Sequence, residues 1–333
     1  MGSAARSPYA SETVTPDLDL AWRKEIGRGV TAPVQLHGDV LIAATTNRTV
    51  VVLNATTGMQ YWSRSFRSPI AGAPLKSGDR LFLGTGDRDR KVHAIQIERG
   101  REAWSREVGT VRIEPALADG RIVVATEEGN VIALAEDDGE VLWTTLISSP
   151  PATPPVSWGT DVVIASARDT LYRVDAATGE ILAQRALPAT VSAPPLLDGD
   201  HLLLPLQSGV IRAVQLPGLD SVWSTDLGVP VLASPVRAGD AVFALARDAT
   251  VWRIEAGGDA RRIASLDGSA TGALTAIRAG LLVGLLDGVL VLLDLDGEFV
   301  WRHDFHDSIV APVAVRHARL YVALLRGDLV VMQ

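Results

Sequence analysis

Tryptophan recurs along the 333-residue chain at a spacing close to 40 residues. The recurring residues are Trp22, Trp62, Trp104, Trp143, Trp223 and Trp301. The gaps between them are 40, 42, 39, 80 and 78 residues, so the last two are double periods. The two skipped positions fall near Ala183 and Ile263, which lie in matching sequence surroundings. Since a fixed period of this length is typical of repeat proteins, the sequence predicts eight repeats.

Each repeat contains four short segments with the composition of β-strands. In the repeat around Trp143, residues 121–126, 131–135 and 140–146 are rich in Val, Ile and Leu, and clusters of Gly, Asp, Asn or Glu separate them. Short apolar runs bounded by such clusters indicate strands joined by turns. A further short segment that carries proline, such as residues 193–194, precedes each set. We name the four strands A to D in chain order, with the tryptophan on strand D.

Four antiparallel strands in about 40 residues are typical of a propeller blade. The chain begins with a D strand at residues 20–26 and ends with a C strand at residues 328–332. We therefore predict an all-β fold, an eight-bladed β-propeller of four-stranded antiparallel blades. Its ring is closed by pairing of the N-terminal outer strand with the C-terminal strand, which removes unpaired sheet edges. Residues 19–333 form one propeller domain in this interpretation, and residues 1–18 form a flexible leader or the remnant of a tag.

The composition disfavours several classes of function. The formal net charge of −8 argues against a nucleic-acid partner, because phosphate binding depends on a positive field. With no cysteine, the chain has no disulfide, catalytic thiol or cysteine metal ligand, which fits an oxidising compartment. Residues 280–293 are the most apolar stretch, but Asp287 and Gly288 interrupt it at the phase of a B–C turn. We interpret this stretch as two buried strands, and no transmembrane helix is predicted.

Two segments of the sequence resemble the PQQ-type propeller repeat. They are residues 171–179, Leu-Tyr-Arg-Val-Asp-Ala-Ala-Thr-Gly, and residues 53–62, which end in Gly58-Met-Gln-Tyr-Trp62. The resemblance extends over residues 20–333. Among PQQ-type propellers, an eight-bladed chain of this length that begins on a D strand resembles the BamB family, lipoprotein scaffolds of the outer-membrane β-barrel assembly machinery.

The family resemblance implies a non-enzymatic interaction scaffold in the bacterial envelope. It implies a periplasmic location, no cofactor, a monomeric propeller, and a protein partner such as a BamA-like barrel protein with POTRA domains. Contact with a membrane would be through that partner or through a lipid anchor. This chain has no cysteine to carry such an anchor, and whether the native protein has one stays open. Relatives carry a Leu-Arg-Gly stretch and acidic residues in two successive D–A loops. Residues 187–192 and 228–233 match neither, so the family's BamA-binding residues are not carried over.

Two alternative functions stay open at this point. One is an accessory or sensor subunit of another membrane protein complex. The other is a PQQ-dependent dehydrogenase, an enzyme class that also uses eight PQQ-type blades. The missing cysteines and the short segments between strands disfavour the enzyme, because such enzymes use added length to build a cofactor chamber.

Three local clusters have the residue types of a chemical site. Residues 294–298 are acidic enough for Ca²⁺, residues 303–307 contain His303, His306 and Asp307, and residues 84–90 begin like a phosphate loop. All three fall at turns or loops, where Asp and Gly are expected for backbone reasons. We predict no catalytic, cofactor or metal site.

Arginine is frequent in the B–C loops although the chain as a whole is acidic. The residues are Arg48, Arg88, Arg90, Arg168, Arg247 and Arg326. Arginine is favoured at interfaces because its planar fork binds carboxylates and stacks on aromatic rings. The six residues are our candidates for a partner-binding face, with ordinary ion pairs within solvated loops as the alternative.

Overall fold

The computed structural model describes residues 9–10, 18–30, 32–70 and 72–333, apart from the side chains of Tyr9, Ala10 and Thr271. Every regular element in these ranges is a β-strand. The strands form eight sheets, which we number blades I to VIII. Each has four antiparallel strands, consecutive in the sequence in blades I to VII and drawn from both ends of the chain in blade VIII. The predicted all-β, eight-bladed propeller is therefore confirmed.

The first two strands are β1 (Tyr9–Ala10) and β2 (Leu20–Glu25). Blade I contains β3 (Gln35–His37), β4 (Val40–Ala44), β5 (Thr49–Asn54) and β6 (Gln60–Ser65). Blade II contains β7 (Leu75–Ser77), β8 (Arg80–Gly84), β9 (Lys91–Gln96) and β10 (Glu102–Glu107). Blade III contains β11 (Ala116–Ala118), β12 (Arg121–Ala125), β13 (Asn130–Ala135) and β14 (Val141–Leu146). Blade IV contains β15 (Val156–Trp158), β16 (Asp161–Ser166), β17 (Thr170–Asp175) and β18 (Ile181–Ala186).

The second half of the chain repeats the pattern. Blade V contains β19 (Leu196–Asp198), β20 (His201–Pro205), β21 (Val210–Gln215) and β22 (Asp220–Asp226). Blade VI contains β23 (Val236–Ala238), β24 (Ala241–Leu245), β25 (Thr250–Ile254) and β26 (Ala260–Ser265). Blade VII contains β27 (Ala270–Ile277), β28 (Gly280–Leu285), β29 (Val289–Leu293) and β30 (Phe299–Asp304). Blade VIII contains β31 (Ala314–Arg316), β32 (Arg319–Ala323) and β33 (Asp328–Met332).

Blade VIII takes its outer strand from the other end of the sequence. Strand β2 pairs antiparallel with β33, with Trp22 opposite Val331 and Glu25 opposite Asp328. The predicted closure of the ring is therefore confirmed. The apolar stretch at residues 280–293 forms β28 and β29, two buried strands as predicted.

The apolar core lies between the blades. Strands B and C are buried on both faces, and the clusters of buried side chains combine residues of neighbouring blades. One cluster, for example, contains Ile42 and Val52 of blade I together with Leu81 and Ile95 of blade II. Because neither face of these two strands meets water, they appear in the sequence as continuous apolar runs. Strand D is the outer edge and alternates between half-buried and exposed residues.

The recurring tryptophans join each blade to the next one. Trp143 of blade III donates a hydrogen bond from Nε1 to the carbonyl of Ala176, in the C–D turn of blade IV, at 2.9 Å. Its ring covers Gly179 of the same turn so closely that a Cβ there would come within 2.7 Å of it. The same pair of contacts, from a tryptophan to the next C–D turn, is made by Trp22, Trp62 and Trp104. The tryptophan phase is therefore one of packing between blades.

At the two positions where strand D has no tryptophan, other residues fill the space between the blades. At Ala183 the next C–D turn has Leu219 where glycine stands elsewhere, and this leucine is fully buried in the cluster against which Ala183 packs. At Ile263 the glycine is kept, and Gly297 approaches the main chain of Ile263 directly. A smaller residue on strand D is therefore offset either by a larger turn residue or by a closer approach of the backbones.

Trp301 lies before the blade that has no C–D turn. The C and D strands of blade VIII come from opposite ends of the chain, so no turn carbonyl faces this ring. Among the described residues, Nε1 of Trp301 has no hydrogen-bond partner. The ring is instead 8% exposed within an apolar cluster against which Leu18 packs.

The aspartate of the repeat motif caps the C–D turn. Oδ1 of Asp175 accepts hydrogen bonds from the main-chain N–H groups of Ala177 and Thr178, both at 2.8 Å, and from the hydroxyl of Thr178. These donors, the Thr178 N–H foremost, lower the pKa of Asp175. Asn54 makes the same three contacts in blade I, so the motif requires an acceptor oxygen rather than a charge.

Most of the predicted leader, residues 1–8 and 11–17, lies outside the described residues. The backbone of β1 is described, and it pairs in parallel with β27 as a fifth strand of blade VII. Tyr9 is opposite Ala276, and Ala10 is opposite Ile277. The sequence reasoning did not anticipate a strand here, because two residues are too few for a periodic pattern.

We expect Trp143→Ala to destabilise the protein by about 3–5 kcal/mol, because it removes a large packed ring and its hydrogen bond. Urea denaturation followed by circular dichroism measures this change. A loss of less than about 1 kcal/mol would show that the ring is not needed between blades III and IV.

Substitutions at two glycines distinguish the cost of losing the tryptophan contact from the cost of backbone strain. Gly179 and Gly159 both have positive φ, 79° and 57°, but only Gly179 faces a ring, and nothing lies within 4 Å of a Cβ at Gly159. Gly159→Ala should cost about 1–2 kcal/mol from the left-handed backbone alone. Gly179→Ala should cost more, by a further ~1–3 kcal/mol of overpacking. Equal losses in the same denaturation experiment would contradict the role of the tryptophan contact.

Candidate functional site

One face of the ring is built from the B–C and D–A loops of all blades. Each D–A loop runs beside the B–C loop of the blade that it enters. The N–H of Thr46 donates to the carbonyl of Arg28 at 3.2 Å, and the N–H of Arg247 donates to the carbonyl of Pro230 at 2.9 Å. Isolated bridges such as Val191 with Leu206 repeat this pairing around the ring. We call this surface the loop face.

The last residue of every B–C loop has a left-handed backbone. Glycine occupies this position in four blades, as Gly129, Gly209, Gly288 and Gly327. Arg48, Arg90, Asp169 and Ala249 occupy it in the other four, with φ between 54° and 67°. The carbonyl of each accepts a hydrogen bond from the N–H that follows strand D of the same blade, such as Phe66 onto Arg48. A side chain at such a position costs about 1–3 kcal/mol, so two of the candidate arginines stand where the backbone favours glycine.

All six candidate arginines lie on the loop face, but their guanidinium groups have different surroundings. Arg90 is paired with Glu128 of blade III at 2.8 Å. Arg326 is 83% exposed, and its only carboxylate neighbour in the described chain, Asp307, is at 3.9 Å. Arg48 donates to the carbonyl of Arg67 at 3.1 Å. Arg88, Arg168 and Arg247 are exposed and form no ion pair with any described residue.

The structure groups some of the candidates and separates others. Arg326, Arg48 and Arg88 belong to the consecutive blades VIII, I and II. Arg168 and Arg247 belong to blades IV and VI, and an aspartate directly follows each of them in its loop. The six residues therefore do not form one continuous rim, and their role in binding a partner stays a prediction.

Two arginines of the D–A loops lie next to Arg326, Arg48 and Arg88. Arg28 and Arg67 are exposed, lie between the loops of Arg326, Arg48 and Arg88, and form no ion pair with a described residue. The sequence reasoning missed both, because it considered only the B–C loops. The antiparallel order of the strands puts D–A loops at the same end of the blade, so considering them as well would have found both residues.

Carboxylates dominate elsewhere on the loop face. Blade III contributes Glu127 and Glu128, which neutralise arginines of neighbouring loops: Glu127 pairs with Arg112, and Glu128 with Arg90. The loops around blades VI and VII add Asp248, Asp267 and Asp287, all exposed. The loop face is therefore polarised, with four arginines that form no ion pair in the loops of blades I and II and three exposed carboxylates, beside Arg247, around blades VI and VII.

A buried histidine anchors the loop that bears Arg88 and Arg90. His93, on β9, is 5% exposed. Its Nε2 lies 3.0 Å from a carboxylate oxygen of Asp89 in that loop, and its Nδ1 lies 2.9 Å from Glu102 on β10. Both ring nitrogens therefore lie at hydrogen-bond distance from a carboxylate. His93 was missed at the sequence level, although Asp89 stands four residues before it.

Glu102 is the other end of this cluster. It also receives a hydrogen bond from Arg64 of blade I at 3.2 Å. Burial alone would raise the pKa of Glu102, but hydrogen bonds from His93 and Ser105 and the charges of His93 and Arg64 outweigh it and lower that pKa. The cluster therefore joins the loop of blade II to strands of blades I and II.

The other local clusters are structural turns. Oδ1 of Asp294 accepts hydrogen bonds from the N–H groups of Asp296 and Glu298, which makes residues 294–298 a capped C–D turn. His306 contacts Asp304, while the ring of His303 packs on Phe305 at 4.6 Å. In the described part of the chain, no group of three or more His, Cys, Asp or Glu side chains is arranged to hold a metal ion. No helix that is long and apolar enough to cross a membrane occurs there either.

The sequence is similar to outer-membrane assembly factors. The family model described as outer membrane protein assembly factor BamB matches residues 16–157, which is less than half of the chain. A BamB of Yersinia pestis is 23% identical over 243 residues, which cover 62% of this chain and 61% of that protein. The chain therefore matches less than two thirds of the length of this relative.

Solved structures share the fold. BamB from Moraxella catarrhalis gives a TM-score of 0.79 over 95% of this chain and 100% of that chain, at 18% identity. A quinohemoprotein alcohol dehydrogenase from Pseudomonas putida HK5 gives 0.75 over 95% of this chain and 76% of that chain, at 13% identity. Fold likeness of this kind extends across functions.

Repeat, blade order and comparisons together define the class: the chain is an eight-bladed β-propeller whose repeats resemble the PQQ-type repeat. Within this class it resembles BamB, as the sequence motifs predict.

We expect the carboxylate of Glu102 to contribute a pH-dependent part of the stability. Its pKa is lower in the folded protein than in the unfolded chain, where it is about 4.3. The contribution is therefore present above about pH 4.3 and is lost as the pH falls through the folded pKa. Wild type should exceed Glu102→Gln in urea stability at pH 6.5, and the gap should close as the pH falls below about 4.3.

Glu98→Gln is the control for this measurement. Glu98 lies in the C–D turn of the same blade, and its side chain is 84% exposed. It therefore reports the effect of removing one carboxylate from blade II without touching His93. A gap for Glu102→Gln that stays constant with pH would contradict the coupling to His93.

Proposed function

We propose that this chain is a non-catalytic protein-interaction scaffold that takes part in outer-membrane protein assembly, on the periplasmic side of the bacterial envelope. The observation that carries the proposal is its sequence similarity to proteins named as outer membrane protein assembly factor BamB, including the family-model match over residues 16–157. The likeness to the dehydrogenase, at 13% identity, is one of fold alone.

The geometry supports a scaffold in two ways. The ring is closed by β2 and β33, and its blades are joined by the tryptophan contacts, so the loop face keeps one shape. The loops on this face are held by main-chain pairing with each other, which leaves several arginine side chains free for a partner. Arginine supplies strong hydrogen bonds to carboxylates at protein interfaces.

The second candidate function is an accessory or sensor subunit of another membrane complex. The loops that enter blades V and VI favour it. Leu187, Val191, Leu227 and Val231 are buried in these two loops, which have no charged residue between Leu187 and Ser192 or between Gly228 and Ala233. A partner that recognises charged residues at these two loops would not find them here.

Affinity capture of the tagged full chain from native membranes, after chemical cross-linking and with mass spectrometry as the readout, separates the two candidates. We expect a barrel protein with POTRA domains, of the BamA type, among the most enriched proteins. A membrane complex recovered without any barrel-assembly component would contradict the assembly role and support the second candidate. A tagged propeller of unrelated sequence in the same membranes controls for nonspecific recovery.

A further inference from the structure

Five arginines form a continuous group across three blades. Gly29, next to Arg28, would bring a Cβ within 3.0 Å of the carbonyl of Leu325, which precedes Arg326. The carbonyl of Arg28 accepts from the N–H of Thr46 in the loop of Arg48. We call the group of Arg326, Arg28, Arg48, Arg67 and Arg88 the basic sector.

The remaining links of the basic sector are hydrogen bonds as well. The guanidinium of Arg48 donates to the carbonyl of Arg67 at 3.1 Å. Ser68, the next residue, accepts from the N–H of Arg88 at 2.9 Å through its hydroxyl. Each loop of the sector therefore touches the next one, so the five side chains leave one connected piece of surface.

Four of the five charges of the basic sector form no ion pair within the described chain, while Arg326 lies 3.9 Å from Asp307. Arg28, Arg48, Arg67 and Arg88 form no ion pair there, whereas the nearby Arg112 is paired with both Asp87 and Glu127. Since charges at the surface are screened within about 10 Å, the net charge of −8 does not cancel this local excess. The sector attracts carboxylates or other anions on the scale of a peptide.

An exposed apolar side chain stands within the same surface. Leu325 is 54% exposed, and its neighbours along the contact path are Arg326 and the loop of Arg28. Arginine is enriched in protein-binding hot spots, and Leu325 adds exposed apolar area beside the arginines of the sector. A purely ionic ligand would leave this leucine in water.

We infer that the basic sector binds an acidic peptide segment that also carries apolar side chains, presented by the partner protein. This inference rests on the proposed scaffold function and adds where on the loop face the partner sits and what its chemistry is. A flat anionic membrane fits less well, because it would also meet the carboxylates of blades III, VI and VII. A peptide can contact the arginines of the sector without meeting those carboxylates.

Arg48 offers a variant that keeps the backbone. Its φ is 67°, and four other blades have glycine at the same position. Arg48→Gly removes a guanidinium from the middle of the sector without adding strain, so a loss of binding cannot be attributed to misfolding. The double reversal Arg28→Glu with Arg67→Glu is the stronger variant. Arg168→Glu with Arg247→Glu makes the same charge change on the same face at the two candidate residues that lie outside the sector, so it separates binding at the sector from binding by the whole face.

The test is fluorescence anisotropy with the full chain and a short labelled peptide in which Glu, Leu and Ser alternate. We expect saturable binding that weakens about tenfold or more in the double reversal, roughly 1.4 kcal/mol. Arg48→Gly should weaken binding several-fold, and the control pair should stay within about twofold of wild type. An equal loss in the control pair would show that the whole face acts nonspecifically and would overturn the sector.

Vesicles of phosphatidylglycerol and phosphatidylethanolamine serve as the second probe. Binding of wild type to these vesicles, without binding to the peptide, would overturn the peptide inference in favour of a lipid surface. Membrane capture with the Arg28→Glu, Arg67→Glu variant separates this inference from the proposed function. If both wild type and this variant capture the barrel-assembly components equally, the sector is wrong and the function stands. If the peptide binds at the sector and wild type captures no such component, the sector stands and the function is wrong.

Discussion

The structure depends on one contact, in which a strand-D tryptophan lies flat on a turn glycine of the following blade. A propeller has no single core, because each blade buries its faces only against its two neighbours. The fold is stable only if every one of those interfaces closes. The Trp143 ring does this by packing on Gly179 and by hydrogen bonding to Ala176, so one side chain sets both the distance and the register of two sheets. The glycine is required twice over, by its positive φ and by the ring above it.

This contact is made at the turn end of the blades, away from the loop face. The loops opposite are therefore free to vary so long as their main-chain pairing is kept. His93 shows how side chains support that pairing where a loop is long. It holds Asp89 of the six-residue loop at 85–90 to a strand of its own blade, and Glu102 connects the same histidine to Arg64 of blade I. The loop that carries Arg88 and Arg90 is thus positioned by hydrogen bonds to a buried histidine.

The repeat made the fold predictable from the sequence, and irregular features escaped. The tryptophan period, the Asp and Gly turns and the split blade at the chain ends predict blade number, strand order and closure, since each signal recurs several times. His93 escaped because it occurs once and has no counterpart in other repeats, and Arg67 escaped because it lies in a D–A loop. At one junction between blades, Ala183 replaces the strand-D tryptophan and Leu219 replaces the turn glycine. The sequence did not predict this paired exchange, because doing so requires knowing which two distant residues face each other. Polarisation of the loop face depends on two loop sets at once, and only one of them was considered.

At the left-handed position that ends each B–C loop, the contacts of a side chain show whether it has a structural role that offsets the strain of its backbone. Glycine is the residue of lowest strain there, and blades III, V, VII and VIII use it. Ala249 is fully buried and Asp169 accepts a hydrogen bond from Thr190, so these two side chains have a structural role that offsets the strain. Arg90 has its ion pair with Glu128. Arg48 has only one exposed hydrogen bond to a carbonyl, a contact worth little in water. Of the four, Arg48 is the residue whose strain the fold explains least, and it stands at the centre of the basic sector.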